Sequence, residues 1–256
     1  MNEFLWVEKY RPKNIEHCIL PDDLKKTFKS FVDAGEVPNL LLCGTAGIGK
    51  TTVAKALCHE LGVDSIVING SDEGRFLDTV RNTAKQFAST VSLTSSAKHK
   101  VIIIDEADNT THDVQLLLRA SIEEFQNNCR FIFTCNFKNK IIQPLHSRTT
   151  VIDCNTRGKQ KQQIATQFFE RCRGILTAEN IEFTDAVVAE VVQKFFPDFR
   201  RTLNELQRYA ASGVIDTGIL AQISQVRLEK LVGALKTKDF GATRKWIVAN
   251  LDNDPN

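Results

Sequence analysis

The 256-residue sequence contains no long hydrophobic run and no recognisable secretory leader. Its longest wholly apolar run is about four residues, whereas a helix needs about 20 apolar residues to cross a bilayer. The first residues, MNEFLWVEKYRP, lack the apolar stretch that a signal peptide carries. We therefore expect a protein that is neither secreted nor membrane-spanning and that resides in the cytoplasm.

Paired cysteines of the kind that hold zinc or form a disulfide framework are also absent. The seven cysteines are scattered, and no two form a C-x-x-C pair. An odd number of scattered thiols fits a reducing compartment better than a disulfide-rich fold or a zinc site.

Excess charge of one sign is lacking as well. The sequence has 33 Lys and Arg against 31 Asp and Glu, a net charge of +2. Because the whole chain is nearly balanced, any contact with nucleic acid must come from a local basic patch.

Between about residues 38 and 153, short apolar runs alternate with segments whose apolar residues recur every three or four positions. We predict strands at 40–43, 65–69, 101–105, 130–135 and 149–153, and helices at 51–61, 76–88 and 113–125. Strands that alternate with helices indicate βαβ units and a mostly parallel sheet. The predicted fold class is therefore α/β.

The pattern changes after Asn155, where we predict that strands stop and a small helical domain follows. The segments QKQQIATQFFERC, TDAVVAEVVQKFF and FRRTLNELQRYA each place apolar residues on one helical face. The second helix is predicted to begin at a capping Thr184 and to end before Pro197. We expect an α/β domain over 1–155, a helical domain over 156–222 and further helices over 223–256.

The sequence GTAGIGKT, residues 44–51, matches the phosphate-binding pattern G-x-x-x-x-G-K-[ST] at every fixed position. It lies directly after an apolar strand and directly before a helix, which is the context that the motif requires. Lys50 would supply charge to the terminal phosphates and Thr51 a hydroxyl to Mg²⁺, while backbone N–H groups surround the phosphate oxygens. The predicted nucleotide contacts are Gly44, Thr45, Ala46, Gly47, Ile48, Gly49, Lys50, Thr51 and Thr52.

The sequence VIIIDEAD, residues 101–108, predicts a buried strand that delivers two carboxylates to the edge of the sheet where ligands bind. Asp105 is expected to hold Mg²⁺ through water, and Glu106 to polarise the attacking water. The same letters occur in DEAD-box RNA helicases, but such motors need two RecA-like lobes. Only about 100 residues follow the sheet here, and their pattern is helical, so the helicase interpretation fails on length.

Six motifs occur in an order that resembles one family of ATPases: WVEKYRP, GTAGIGKT, DEAD, FTCNF, SRT and FPDFRRTLNELQ. Over residues 5–222 the chain is similar to clamp-loader ATPase subunits, namely the replication factor C small subunits and, most closely, those of T-even-type bacteriophages. VEKYRP and the Ser-Arg pair are fairly specific to that group. The resemblance implies an AAA+ module: a RecA-like domain, a helical lid and a collar that assembles a pentamer. The collar over 223–256 would be short.

The resemblance also implies roles for single residues in the helical lid and beyond the fourth strand. Asn136 matches sensor 1, whose amide orients the water and the γ-phosphate, and an Asn that caps a strand end is the alternative. Arg200 matches sensor 2, a lid arginine that reaches the phosphates. Helix phase does not exclude the neighbouring Arg201.

Two further roles follow from the same resemblance. Arg148 lies in Ser-Arg-Thr, where the family has Ser-Arg-Cys, and is expected to act on the ATP of the next subunit. A surface arginine paired with a carboxylate is the alternative. Tyr10, Arg11 and Pro12, with Glu8 nearby, match the segment that flanks adenine, and an arm packed on the sheet is the overlapping alternative.

Contacts with macromolecules are expected on the segment after the second strand. Arg75, Arg81 and Lys85 lie on the predicted helix there, and such a basic stripe is often only a solvated face. The resemblance implies instead that this region follows DNA phosphates. Val91 and Leu93 stand on a polar, loop-like segment, where isolated apolar residues usually mean nothing. The resemblance suggests that they plug the hydrophobic groove of a sliding clamp.

The predicted function is an ATPase subunit that uses ATP and Mg²⁺ to open a ring-shaped sliding clamp and place it on primer–template DNA. Further copies of the chain and a companion subunit would complete a pentamer, in the host cytoplasm if the chain is phage-encoded. Another AAA+ replication ATPase, such as a helicase loader, is the first alternative. A hydrolytically silent structural subunit is the second, against which the intact Lys50, Asp105, Glu106 and Arg148 argue.

Overall fold

The computed structural model describes residues 4–71, 84–90, 99–156, 158, 160–211, 213–215, 236, 237, 240, 241 and 244. Within them lies a five-stranded sheet of β1 Leu40–Cys43, β2 Ser65–Asn69, β3 Lys100–Asp105, β4 Cys129–Cys135 and β5 Thr150–Asp153. The strand order is β2-β3-β4-β1-β5, and every pairing is parallel. The predicted fold class is confirmed, and each strand begins and ends within one residue of its prediction.

Nine α-helices surround the sheet or follow it within the described residues. They are α1 Trp6–Lys9, α2 Asp22–Ala34, α3 Lys50–Leu61, α4 Lys85–Ser89, α5 His112–Glu124, α6 Gln143–His146, α7 Gln160–Ala178, α8 Asp185–Phe195 and α9 Phe199–Ala210. Two short 3₁₀ helices, Ala107–Asn109 and Lys138–Lys140, complete the set. The helix predicted at 76–88 is described only from residue 84 onward.

Alternate side chains of the central strands enter two separate hydrophobic cores, one on each face of the sheet. On one face Ile103 and Ile132 pack with Leu57 of α3, and on the other Ile102 and Phe133 pack with apolar residues of α5. Residues 101–104 are completely buried. A strand covered on both faces is apolar throughout rather than alternating, which explains the run VIII.

The register of the sheet places the carboxyl ends of its strands together. Cys43 of β1 pairs with Cys135 of β4, and Asn69 of β2 pairs with Asp105 of β3. The loops that follow these strands therefore leave from the same edge of the sheet, where ligands bind in open α/β folds.

The helical domain has its own core and one feature that the sequence did not predict. Helices α7, α8 and α9 share a cluster that includes Phe168, Val188 and Leu206. The prediction that strands stop after Asn155 is wrong, because β6 Glu182–Phe183 and β7 Val214–Ile215 form a parallel pair. Two residues are too few to show a strand periodicity.

Thr184 takes the N-cap position of α8, as predicted, although its side chain does not accept a capping hydrogen bond. Its backbone N–H instead donates to the carbonyl oxygen of Ile215, at 3.1 Å. The pairing of β6 with β7 is thereby extended up to the start of the helix.

The N-terminal arm bridges the two domains. Trp6 is buried in the core of the helical domain, and its backbone N–H donates to Oε1 of Gln207 on α9 at 3.0 Å. Ile15 and Leu20, further along, are buried in a core of the sheet domain. The interpretation of an arm packed on the sheet therefore holds only for its later part.

All seven cysteines are buried and free. Among the residues described, no helix combines the length and the apolar character needed to cross a membrane. Most of the predicted collar, 223–256, lies outside the described residues.

Candidate nucleotide-binding site

Residues 44–49 connect the end of β1 to α3, and Lys50 and Thr51 are the first two residues of that helix, as the phosphate-binding motif requires. Gly49 takes a φ of 95°, the left-handed region that favours glycine. Gly47 has a φ of 77° and lies close to the lid, because a Cβ there would stand 1.8 Å from Oδ1 of Asp198. Both the turn and the close approach therefore depend on glycine.

Lys50 lies at the centre of this loop, with its side chain almost fully buried. Its Nζ donates to the carbonyl oxygens of Gly44 and Thr45, each at 2.8 Å, and to Oδ1 of Asn136 at 2.9 Å. Burial lowers the pKa of the Lys50 ammonium, and the three oxygen partners favour its charged form. The positive charge is thus held beside the position where phosphates would bind.

Asp105 and Thr51 meet at the same place. The Thr51 hydroxyl donates to Oδ1 of Asp105 at 2.6 Å. A hydroxyl beside a carboxylate is a hard oxygen pair of the kind that Mg²⁺ prefers, usually together with substrate phosphates and water. The two residues therefore fit a Mg²⁺ whose other ligands come from a nucleotide and water.

Glu106 lines the same cavity as Lys50 and Thr51. Its backbone takes the left-handed conformation, with φ 55° and ψ 44°, which is uncommon for a residue with a Cβ. Its Oε2 accepts a hydrogen bond from Nδ2 of Asn109 at 3.1 Å. The carboxylate is thereby restrained from its own loop while it faces the cavity.

Asp108, the last letter of DEAD, fixes the chain beyond β4. The backbone N–H groups of Asn136 and Phe137 donate to its Oδ2, at 3.1 and 3.0 Å. The Asp108 side chain is buried, so its carboxylate holds the backbone of Asn136 where the side-chain amide can reach Lys50. The sequence analysis assigned this residue no role. The available signal was a third acidic residue only two positions after Glu106.

Thr134 and Asn155 were also missed. The hydroxyl of Thr134 donates to Oδ1 of Asp105 at 2.6 Å and accepts from the backbone N–H of Glu106 at 3.0 Å. Asn155 accepts from the N–H of Thr45 at 3.0 Å through its Oδ1. A polar residue in the buried strand FIFTC was the signal for Thr134, and Asn155 had none.

Two neighbouring cavities lie between the sheet domain and the helical domain. A polar cavity is lined by residues of the phosphate-binding loop, residues 44–51 (the P-loop), together with Asp105, Glu106 and Asn136. An apolar cavity adjoins it, and the residues that line both are Arg11, Gly47, Gly49, Thr52 and Arg200. The pair has the layout that a nucleotide needs, with phosphates on the polar side and the base on the apolar side.

The N-terminal arm forms one wall of the apolar cavity. Tyr10 and Arg11 both line it, and Glu8 forms an ion pair with Arg11. The Tyr10 hydroxyl donates to Oε1 of Glu179 at 2.6 Å, and burial, with this bond, raises the pKa of Tyr10. Pro12 lines the same cavity, so the residues of the predicted adenine-flanking segment lie together beside the predicted site.

Arg200 and Arg201 differ in what they contact. Arg200 lines both cavities. The Arg201 guanidinium lies over the ring of Phe195, 4.9 Å from its centroid, and its backbone N–H donates to the capping Asp198. The geometry favours Arg200 as the arginine that reaches the phosphates.

Arg148 lies between α6 and β5, the strand at one edge of the sheet. Its Nε and Nη2 donate to Oε1 of Glu123 on α5, at 2.9 and 2.5 Å, and this ion pair lowers the pKa of Glu123. In the single chain, Arg148 thus has the surface ion pair that stood as the alternative to a role on a neighbouring subunit's ATP.

The macromolecular contacts are only partly within the described residues. Lys85 begins α4, and its side chain, 65% exposed, lies 3.7 Å from a carboxylate oxygen of Glu124. The other members of the two predicted sets, Arg75, Arg81, Val91 and Leu93, lie outside the described residues.

Comparison with known proteins gives matches to two family models and to several relatives. Residues 40–155 match the ATPase family associated with various cellular activities (AAA), and residues 160–221 match the sliding-clamp-loader large subunit, AAA+ ATPase lid domain. The chain is 41% identical to the sliding-clamp-loader large subunit of Escherichia phage RB69, over 94% of the chain and 76% of the relative. It is 38% identical to that of Enterobacteria phage T4, over 97% and 82%.

More distant similarities agree in fold. A replication factor C small subunit of Methanoculleus marisnigri is 37% identical, over 80% of the chain and 63% of the relative. Among solved structures, the Thermotoga maritima RuvB Holliday junction branch migration motor superposes with a TM-score of 0.66, over 89% of the chain and 80% of that structure. At 20% identity this last likeness concerns the fold alone.

Proposed function

Since the chain belongs to the sliding-clamp-loader large-subunit family of AAA+ ATPases, we propose that it hydrolyses ATP to open a sliding clamp and place it on primer–template DNA. The observation that carries this proposal is the convergence of five residues on one cavity at the carboxyl edge of the sheet: Lys50, Thr51, Asp105, Glu106 and Asn136. A silent structural subunit would have no use for this complete set.

The P-loop would bind the phosphates of ATP. Backbone N–H groups at the start of α3 and the Lys50 ammonium would surround the terminal phosphates. The phosphate oxygens would compete for Lys50 with its three oxygen partners, the carbonyl oxygens of Gly44 and Thr45 and Oδ1 of Asn136. Mg²⁺, held by Thr51 and Asp105 when bound, would neutralise charge on the phosphate oxygens.

Glu106 and Asn136 would act on the water that attacks the γ-phosphate. The Glu106 carboxylate would accept a hydrogen bond from this water and polarise it, and the Asn136 amide would orient it. Both side chains line the polar cavity, in which the γ-phosphate would bind.

The lid would sense the nucleotide through two neighbouring residues of α9. The N–H of Phe199 donates to the carbonyl oxygen of Gly47 in the P-loop at 3.1 Å, and Arg200 lines both cavities. A nucleotide in the paired cavities would contact lid and sheet domain at once, and so fix their relative orientation. Such a fixed orientation would let ATP binding assemble subunits into a spiral.

The proposed partners follow from the family. Two relatives are named sliding-clamp-loader large subunits, and we propose a clamp, primed DNA, further copies of this chain and a companion subunit as partners, in a pentamer. Arg148 would serve the ATP of the next subunit. Arg75, Arg81 and Lys85 would contact DNA phosphates, and Val91 and Leu93 would contact the clamp. The assembly would act in the host cytoplasm.

The test is a reconstitution with candidate companion subunits and clamps. ATP turnover is measured with neither ligand, with primed DNA, with clamp and with both, and clamp retention on circular primed DNA is measured in parallel. We expect the highest turnover with both ligands and ATP-dependent retention of the clamp. Turnover that ignores clamps but rises with a replicative helicase would support the helicase-loader alternative instead.

A further inference from the structure

Thr134 is a polar residue in a strand that is otherwise apolar toward its carboxyl end. Its side chain is 1% exposed, and its neighbours Phe133 and Cys135 are equally buried. A buried hydroxyl is costly unless it is hydrogen-bonded. The reason for a hydroxyl at this position must therefore lie in its partners.

The two hydrogen-bond partners of the Thr134 hydroxyl belong to Asp105 and Glu106, the two acidic residues of the predicted catalytic site. The Thr134 hydroxyl donates to Oδ1 of Asp105 at 2.6 Å and accepts from the backbone N–H of Glu106 at 3.0 Å. A hydroxyl carries one donor and two acceptor positions, so it makes both bonds at once. Oδ1 of Asp105 also accepts from Thr51 at 2.6 Å, which connects Thr134 to the start of α3.

The pairing of β3 with β4 does not supply a hydrogen-bond partner for the backbone N–H of Glu106. The register between β3 and β4 runs as far as Ile104 opposite Phe133, and Glu106 then turns into the left-handed region. The N–H of Glu106 therefore lies outside the hydrogen-bonded ladder of the two strands and donates to the Thr134 hydroxyl. A left-handed conformation at a residue with a Cβ persists only where the surroundings determine it.

The other side of Glu106 is restrained by Gly70. The N–H of Gly70 donates to the carbonyl oxygen of Asp105 at 2.7 Å, and a Cβ at Gly70 would stand 2.6 Å from the carbonyl oxygen of Glu106. The backbone of Glu106 is thus held between a hydroxyl on β4 and a glycine after β2.

We propose that Thr134 is a positioning residue for ATP hydrolysis, whose hydroxyl fixes the carboxylate of Asp105 and the backbone of Glu106 together. The proposal rests on the proposed function of those two carboxylates. Thr134 also borders the polar cavity, but its single hydroxyl hydrogen already donates to Asp105, so it acts through the two carboxylate residues rather than as a donor to the phosphates. Its loss should therefore affect turnover more than nucleotide affinity.

The first experiment compares Thr134→Val, which keeps the shape and removes the hydroxyl, with Thr134→Ser, which keeps the hydroxyl. Ser121→Ala is the control, since Ser121 is a buried hydroxyl that bonds within α5. We expect Thr134→Val to lower kcat about 10- to 100-fold, the usual cost of losing a supporting partner. The Kd for an ATP analogue should stay near that of the wild type, and Thr134→Ser and the control should retain turnover.

A second measurement does not depend on turnover. Amide hydrogen exchange at Glu106, followed by NMR on the whole nucleotide-free chain, should become faster in Thr134→Val and stay slow in Thr134→Ser. If Thr134→Val does not fold, Thr134→Ala takes its place in both experiments.

Three results would overturn the inference: normal kcat in Thr134→Val, equal losses of kcat in the Val and Ser variants, or an unchanged Glu106 amide in Thr134→Val. Failure of the wild-type chain to hydrolyse ATP in any reconstitution would instead overturn the proposed function. The two failures are therefore distinguishable.

Discussion

Nζ of Lys50 and Oδ1 of Asn136 lie 2.9 Å apart, so the first residue of α3 is hydrogen-bonded to the residue that follows β4. Each of the two side chains is expected to contact the γ-phosphate. A phosphate oxygen that binds the ammonium would compete with the Asn136 amide for it. ATP binding should therefore release the Asn136 amide from Lys50, so that the amide can orient the attacking water.

Lys50→Ala should abolish ATP binding, because it removes the charge that lies at the centre of the P-loop. The Lys50 side chain is almost fully buried against polar partners, so a modest loss of stability is also expected. Binding of a fluorescent ATP analogue is the measurement, with circular dichroism to establish that the variant folds. Lys26→Ala, an exposed lysine on α2, is the control, and tight binding by Lys50→Ala would remove the assignment.

Arg200→Ala and Arg201→Ala form a matched pair of variants on one helix turn. Arg200→Ala should weaken ATP affinity about 10-fold or more, since a hydrogen bond to a charged group contributes roughly 1.5–3 kcal/mol. Arg201→Ala should instead cost about 0.5–1 kcal/mol of lid stability through its lost contact with Phe195. Isothermal titration and thermal unfolding separate the two effects, and the reverse ranking in ATP affinity would identify Arg201 as sensor 2.

The sheet and the P-loop could be predicted because their signals are local. Four apolar residues between Asn39 and Gly44 give β1 its bounds, and the motif after them fixes the turn and the helix. The strand that ends in Asp105 was equally clear from its β-branched run. In each case the residues that determine the structure are adjacent in sequence.

Other features depend on contacts between distant segments, and the sequence could not reveal them. Trp6 is buried against α9, about 200 residues away, as its bond to Gln207 shows. The short strands β6 and β7 exist only through pairing with each other. The ion pair of Arg148 depends on the packing of α5 beside the loop after α6. The positions of the motif residues in the fold were predictable, whereas the supporting partners of those residues were not.

Lys85→Ala should weaken binding to DNA of any sequence and reduce the salt dependence of binding. Loss of one phosphate contact lowers the slope of log K against log salt by about one unit per subunit that touches DNA. Lys29→Ala is a close control, because Lys29 is 64% exposed and lies 3.9 Å from Glu16, much as Lys85 lies near Glu124. A triple variant combines Lys85→Ala with Arg75→Ala and Arg81→Ala. If Lys85→Ala, Lys29→Ala and the triple variant all give equal slopes, the basic stripe is only a solvated face.

Leu93→Asp should impair clamp binding while basal ATP turnover stays unchanged. A charge placed in an apolar groove costs several kcal/mol or forces the contact open. Leu93→Met, which keeps an apolar side chain, should bind the clamp normally. Surface plasmon resonance with immobilised clamp measures both variants, and normal binding by Leu93→Asp would remove residues 91–93 from the predicted clamp contacts.

Arg148 poses the question of which molecule's ATP it serves. Its own subunit already supplies positive charge to the phosphates through Lys50 and the N-terminus of α3. The arginine lies beside the edge strand β5, paired with Glu123. An exposed ion pair of this kind is worth about 1 kcal/mol or less, so a neighbouring subunit's nucleotide could displace Glu123 at little cost. Guanidinium remains charged and offers a planar fork to the charge that develops on a phosphoryl group.

Arg148→Ala should therefore leave ATP binding by the isolated chain intact and abolish the hydrolysis that DNA and clamp stimulate. Arginine fingers contribute about 10³- to 10⁵-fold to rate in other phosphoryl-transfer systems. Glu123→Gln, which removes the charge of the intrachain partner, should keep that hydrolysis, whereas a purely structural ion pair would make both variants alike. Mixing Arg148→Ala with Lys50→Ala subunits should restore some turnover at interfaces that join an intact P-loop to an intact arginine. Absence of rescue in every mixture, or normal stimulated hydrolysis by Arg148→Ala alone, would show that the arginine does not act on a neighbour's ATP.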